Sequence, residues 1–391
     1  MKKEKSMRRK TQVLLFVIIL CLSAVLKGEV SYKVIDLGSL GGSWPNSVAY
    51  SVSDNGQIVG KSQASSSYPR YERATIFDPR GSGSNIDLGT LGDGWYNSCA
   101  NFVNNKGQVV GYVHRYSNVD QVDYWRAAMF DPTGGGNNID LGTLGGARSE
   151  ARSINDRGQI VGNAEDGSGP GKFQATLFDP TGAGNNINLR APDNTWSLAN
   201  CINEKGQIVG WSSRYSNANM HATLFDPTGN GNNIDLGLIG GDYNRSWAYS
   251  INNLGQIVGN CGNDMGYSRA TLFDPTGHGN NLNLGVLGGR WSYATSINDK
   301  GQIVGYASDS SGQYRATLFD PTGNGNNVDL NTLINPSSGW FLYQAWSINE
   351  QGWIVGSGVN SDGAHAFLLT PEPATLLLLG LGAVILRRKC S

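Results

Sequence analysis

A surplus of charge of either sign is missing from this sequence: 30 lysines and arginines meet 31 aspartates and glutamates, a net charge of −1. Charged residues make up 16% of the chain, against a usual share of about 25%. Without a basic field there is little to neutralise a phosphate backbone, so sequence-independent nucleic-acid binding is not supported. Histidine is scarce, and no His/Cys spacing among His114, His221, His278 and His365 fits zinc. His221 and His365 stand where Arg73, Arg126, Gln174, Arg269 and Arg315 stand in related segments, and His278 stands where Asn230 and Asn324 do. They read as interchangeable polar positions. Of the five cysteines, Cys21 and Cys390 lie in the end segments. Cys99, Cys201 and Cys261 are odd in number and irregularly spaced, which implies free thiols and no disulfide framework. No Gly-x-Ser-x-Gly elbow appears with identifiable partners. The Asp/Asn/Gly-rich turns match no calcium-loop signature, although calcium stays open as an alternative. No catalytic residue, metal site or cofactor is expected. Nor does any stretch sustain a helical apolar stripe.

Glycine is plentiful instead, at 54 residues, and much of it belongs to a repeat. Gly-Gln-Ile-Val-Gly stands at 56–60, 158–162, 206–210, 255–259 and 301–305, with variants at 107–111 and 352–356. The first glycines are spaced by 51, 51, 48, 49, 46 and 51 residues. Each copy divides into four short β segments. The first ends before the motif, as in Ala151 to Asn155, and turns through Asn155-Asp156-Arg157-Gly158, where Asn and Asp accept backbone bonds and Gly takes positive φ. The motif opens the second segment, Ala-Thr-Leu-Phe (175–178) is the third, and Asp-Pro-Thr-Gly (179–182) turns into a fourth such as Ile139 to Gly142. Short strands on a period of about 50 residues predict an all-β fold, a seven-bladed β-propeller of four-stranded antiparallel blades. The repeat region begins with a lone fourth strand, Tyr32 to Gly38, and ends with a lone third strand, His365 to Leu369. Their pairing closes the ring and leaves no open edge at the seam, whereas an open solenoid would call for polar capping repeats.

Alternating strand direction puts the Asn-Asp-x-Gly and Asp-Pro-Thr-Gly turns on one face. The second-to-third loops and the Leu-Gly-Gly crossovers share the other. Loops 61–73, 112–126 and 211–220 differ strongly, which marks either a binding side or the side under least restraint. Six crossovers carry a tryptophan (Trp44, Trp95, Trp196, Trp247, Trp291 and Trp340), and the third carries Arg148. Counted back from the next motif glycine, the tryptophans lie at even offsets of 12, 12, 10, 8, 10 and 12, which in extended chain aims them to one side. Two readings stay open: rings wedged between blades, or a ring of indoles that contacts sugars or apolar ligands.

The ends differ from the middle. Residues 1–28 read as a signal peptide, with Lys2, Lys3, Arg8, Arg9 and Lys10 before the apolar run Val13 to Leu26. An uncleaved anchor is the alternative, and Ile19-Leu20 lacks the small residue expected before an acylated Cys21. Residues 31–370 form the propeller. Residues 371–391 hold Pro371-Glu372-Pro373, the thirteen-residue apolar run Ala374 to Leu386, and Arg387-Arg388-Lys389. A helix of that length spans about 20 Å, short of the ~30 Å hydrocarbon layer, so transient membrane contact is expected through 374–386. This tripartite tail resembles the PEP-CTERM sorting signal, which implies an exosortase-like processing enzyme as partner and delivery to the envelope or matrix. Segments such as Ala248 to Gly259 and Ile139 to Gly146 resemble the HAF family of extracellular repeats, a resemblance that covers about 31–370. It implies an extracellular setting and a propeller but no agreed reaction. Asn188 to Pro192 and Asn331 to Pro336 depart from the pattern, as spacing adjustments or as a site. The expected function is that of an exported bacterial surface or extracellular-matrix protein, a non-enzymatic binding module for envelope polysaccharide or another envelope component. A purely structural matrix role and a polysaccharide hydrolase or lyase are the alternatives.

Overall fold

A computed structural model describes residues 31–41, 46–64, 71–92, 94–117, 122–169, 171–191, 195–214 and 219–372. The signal segment, Trp44, Pro373 and the remainder of the tail lie outside these residues. Seven four-stranded antiparallel sheets follow one another along the chain. Blade 3 is typical: Ser149–Ile154, Ile160–Glu165, Phe173–Phe178 and Ile187–Asn188 pair in that order. The fourth strand shrinks to two residues in blades 1, 2, 3 and 6. First strands touch their neighbours from Ser47–Val52 in blade 1 round to Phe341–Ile348 in blade 7 and back again, which surrounds a central axis. The predicted propeller is therefore present.

Closure follows the expected route. Tyr32–Asp36 pairs antiparallel with Gly363–Pro371, so the N-terminal strand is the outermost member of blade 7. The apolar core is divided into seven slabs, one at each interface between blades. The slab at the seam joins Leu37, Val355, Ala366 and Leu368 to Ala49, Val52, Ile58 and Phe77. Burial of this surface at about 25 cal/mol per Å² drives ring closure as much as it drives any other interface.

Polar devices repeat beside the slabs. In six blades a first-strand serine accepts the N–H of the preceding blade's third-strand residue; Ser246 takes that of Ala222 at 2.9 Å and donates to the Gly237 carbonyl at 2.7 Å. On the turn face, the backbone N–H of Asp54, Asn105, Asp156, Glu204, Asn253, Asp299 and Glu350 each meets a side-chain oxygen of the next residue in that series, with Glu350 returning to Asp54. This belt spans every interface, including the seam.

The two departures from pattern have distinct structures. Leu330–Leu333 and Pro336–Ser338 form single 3-10 turns, and Leu330 and Ile334 pack into the slab that holds Tyr32. At the other departure, Arg190 takes φ +49°, where other copies place a positive-φ glycine such as Gly142 or Gly237.

Candidate functional site

Every first strand carries a β-bulge opposite the second glycine of the repeated motif. In blade 3, Ala151 pairs with Gly162 and Ser153 with Val161, so Arg152 is left without a partner in the ladder. The glycine is obligatory for steric reasons. A Cβ at Gly162 would lie 1.9 Å from the Glu150 carbonyl oxygen, and the same clash recurs in every other blade. A bulge redirects the side chain it leaves over. Here the redirected residues are Tyr50, Asn101, Arg152, Asn200, Tyr249, Thr295 and Trp346. All seven line one cavity of about 470 Å³ on the central axis, away from the turn face.

Aromatic groups dominate one side of this mouth. Trp346 meets Tyr50 and Tyr306 edge-on, at centroid distances of 5.7 and 5.8 Å, and Tyr306 stacks on Tyr293 at 4.8 Å. The indole N–H of Trp346 has no acceptor among the described residues. Burial raises the phenols of Tyr50, Tyr249 and Tyr306 above their ordinary value, which keeps them neutral donors. The other side is polar and paired. Glu150 accepts from Arg152 at 2.9 Å and from Asn101 at 3.0 Å. A second cavity, of about 620 Å³, adjoins through Tyr112, Glu150 and Arg152 and extends to Glu72, His114, Asp123 and Trp125. There His114 Nε2 lies 2.9 Å from Asp123, and Lys61 lies 2.9 Å from Glu72. Cys99 also borders the mouth, and burial pushes its thiol up to about 12, which keeps it protonated.

The sequence-derived candidates are placed differently. Trp247 and Trp291 come together in a neighbouring cavity of about 290 Å³ that shares Tyr249 with the mouth. Trp247 Nε1 donates to the Met220 sulfur at 3.3 Å, and Trp291 Nε1 to the Gly266 carbonyl at 2.5 Å. Trp95 packs on the slab between blades 1 and 2 beneath the Arg115 guanidinium. Trp340 meets Phe367 edge-on at 6.3 Å, and Trp196 is 53% exposed. None of these described tryptophans is among the residues lining the central mouth. Arg148 donates to the Asp123 carbonyl at 3.0 Å and lies over Trp125, at the rim of the second cavity. Of the sorting residues, Pro371 and Glu372 are described, while Pro373, Arg387, Arg388 and Lys389 lie outside. His221 and His365 each pair with a fourth-strand aspartate, Asp235 and Asp36, at 2.9 Å, in the slot where Arg73 faces Asp87. The bulge residues were missed, yet a signal exists. In Ala-x-Ser-Ile-Asn, the x position changes chemical type from copy to copy between nearly invariant neighbours.

Two family models match this chain. A family model described as a protein of unknown function, DUF3466, matches residues 24–131, 83–192 and 197–366. The PEP-CTERM protein-sorting motif matches residues 369–389, which marks the chain as exported and processed at the membrane. No curated protein matches. Among solved structures, a gluconolactonase from Xanthomonas campestris is 9% identical, with 87% of this chain and 90% of that chain covered and a TM-score of 0.38. So loose a likeness carries no argument about activity. Among the described residues, no helix is long and apolar enough to cross a membrane.

Proposed function

The chain belongs to the DUF3466 family of proteins of unknown function and ends in a PEP-CTERM sorting motif; from that premise we propose that it is a non-enzymatic module that binds an envelope glycan in its central mouth. One observation carries the reading. Seven copies of one backbone device deliver the variable residue of each blade to a common cavity. Aromatic faces suit the C–H surfaces of a sugar, and neutral hydroxyl and amide groups suit its hydroxyls. In this proposal Tyr50, Tyr249, Tyr306 and Trp346 are platforms, and Asn101, Arg152 and Asn200 fix orientation. Trp247 and Trp291 extend the surface, and Arg148 steadies Trp125 at its rim. The carboxylates of Glu72, Asp123 and Glu150 are all engaged by cationic or imidazole partners, which supports binding without turnover. The exosortase-like enzyme is the processing partner, and the HAF-like character of the repeats belongs to the same reading.

A glycan array probed with residues 31–372 tests the proposal. Selective binding is expected, lost at least about tenfold in the double variant Tyr249→Ala, Trp346→Ala. Absence of selective binding, or binding indifferent to that double change, overturns it.

A further inference from the structure

The two ends of the described chain meet at one point. Tyr32 stands opposite Pro371 in the seam. One step further, the Glu372 N–H donates to the Ser31 carbonyl at 3.0 Å, and Ser31 Oγ donates to the Glu372 carboxylate at 3.0 Å. The first two residues of the sorting motif are thus part of the folded propeller. Gly352, in the Asn349–Gly352 turn of blade 7, comes close to the Pro371 ring. The tail therefore leaves from the turn face, whereas the mouth opens on the other side. Only Pro373 separates Glu372 from the apolar run that begins at Ala374.

From this juxtaposition we infer that the membrane-held precursor has a fixed orientation, with its turn face against the bilayer and its mouth directed outward. One intervening residue spans at most about 3.6 Å. The blade 7 strand Gly363–Pro371, at about 3.3 Å per residue, carries the opposite loops about 26 Å away. Lipid charge does not hold this face. Residues 31–372 contain 20 Lys and Arg against 29 Asp and Glu, and the balancing positive charges reside in the end segments. The turn face itself displays Asp54, Asp156, Glu204, Asp299 and Glu350 around the axis. The seam and its short tether set the orientation, independently of what the mouth binds. The mouth is open to ligands before processing, and the processing enzyme approaches at the rim of blade 7.

The test uses the chain that signal removal leaves, residues 29–391, in phosphatidylcholine vesicles that contain a nitroxide-headgroup lipid, so that the apolar run 13–26 cannot act as a second anchor at the same face. Cys390→Ser removes the terminal thiol, and Cys99, Cys201 and Cys261 are buried. A fluorophore is placed through Gln351→Cys on the turn face or through Ser361→Cys on the opposite hairpin; both positions are exposed. Quenching at least about threefold stronger at position 351 is expected, since the strand length separates the two. Insertion of about ten Gly and Ser residues between Glu372 and Pro373 is expected to abolish the difference. Equal or reversed quenching without the spacer, a difference that survives the spacer, or failure of the chain to float with the vesicles overturns the inference.

Discussion

At the scale of single residues, glycine and aspartate do different work. The second motif glycine exists because a carbonyl of the adjacent strand occupies the space a Cβ would need; at Gly210 that atom is the Leu198 oxygen, at 1.9 Å. Gly210→Ala forces the bulge apart and is expected to cost about 1–3 kcal/mol, read as a lower denaturant midpoint. The Asp-Pro-Thr-Gly aspartates act through hydrogen bonds. Asp179 accepts from the Thr181 hydroxyl and N–H and from Asn185, which holds its carboxyl at about 2, and Asp274 and Asp320 repeat the arrangement. Because these folded-state values lie below the ordinary 3.8, the contribution to stability is complete above about pH 4 and fades as pH falls toward 2. Thermal unfolding is expected to be flat with respect to these groups from pH 7 to 4.5 and to drop below it. The drop is expected to be shallower in the triple variant Asp179→Asn, Asp274→Asn, Asp320→Asn. An equal drop in both proteins would assign acid sensitivity elsewhere.

At the scale of the element, the blade is incomplete alone. Its first strand presents a serine to the blade before it, and its turn-face asparagine reaches the blade after it; Asn203 donates to the Asn252 carbonyl at 2.9 Å. Ser246→Ala leaves the buried N–H of Ala222 without an acceptor, at a cost of about 1–3 kcal/mol. Hydrogen exchange is the sensitive readout. The Ala222 amide is expected to lose protection first, while amides in blades 1 and 2 keep theirs. Last-copy variation obeys the same logic. Leu342 replaces the serine there, and Asn331 takes over, donating to the Leu342 carbonyl at 2.9 Å and accepting its N–H at 2.7 Å. The departure at 331–336 thus serves the joint between blades 6 and 7.

At the scale of the whole molecule, the ring depends on a strand borrowed from the other end of the chain. Removal of residues 1–38 deletes the outer strand of blade 7, exposes the edge of Gly363–Pro371, and strips Leu37 from the seam slab. Such a truncation is expected to melt lower and to associate through the uncovered edge, visible by size-exclusion chromatography. A truncated chain that stays monomeric with an unchanged melting temperature would show that six complete interfaces suffice.

Repetition made most of this protein readable from sequence. Seven motif copies give the number of blades, Gly/Pro/Asn punctuation gives the strands, and the orphan segments Tyr32 to Gly38 and His365 to Leu369 give the seam. These follow from local rules that act the same way in every copy. Counting along the chain did not reveal where side chains point once the strand bulges. Parity assigns the crossover tryptophans to one side only if the chain is regular from crossover to motif, and the bulge removes that regularity at residues such as Arg152 and Tyr249. It is the fold around a common axis that gathers seven positions about 50 residues apart into one cavity. A sequence pattern records what each copy shares, but a site built from what the copies do not share emerges only when the ring brings them together.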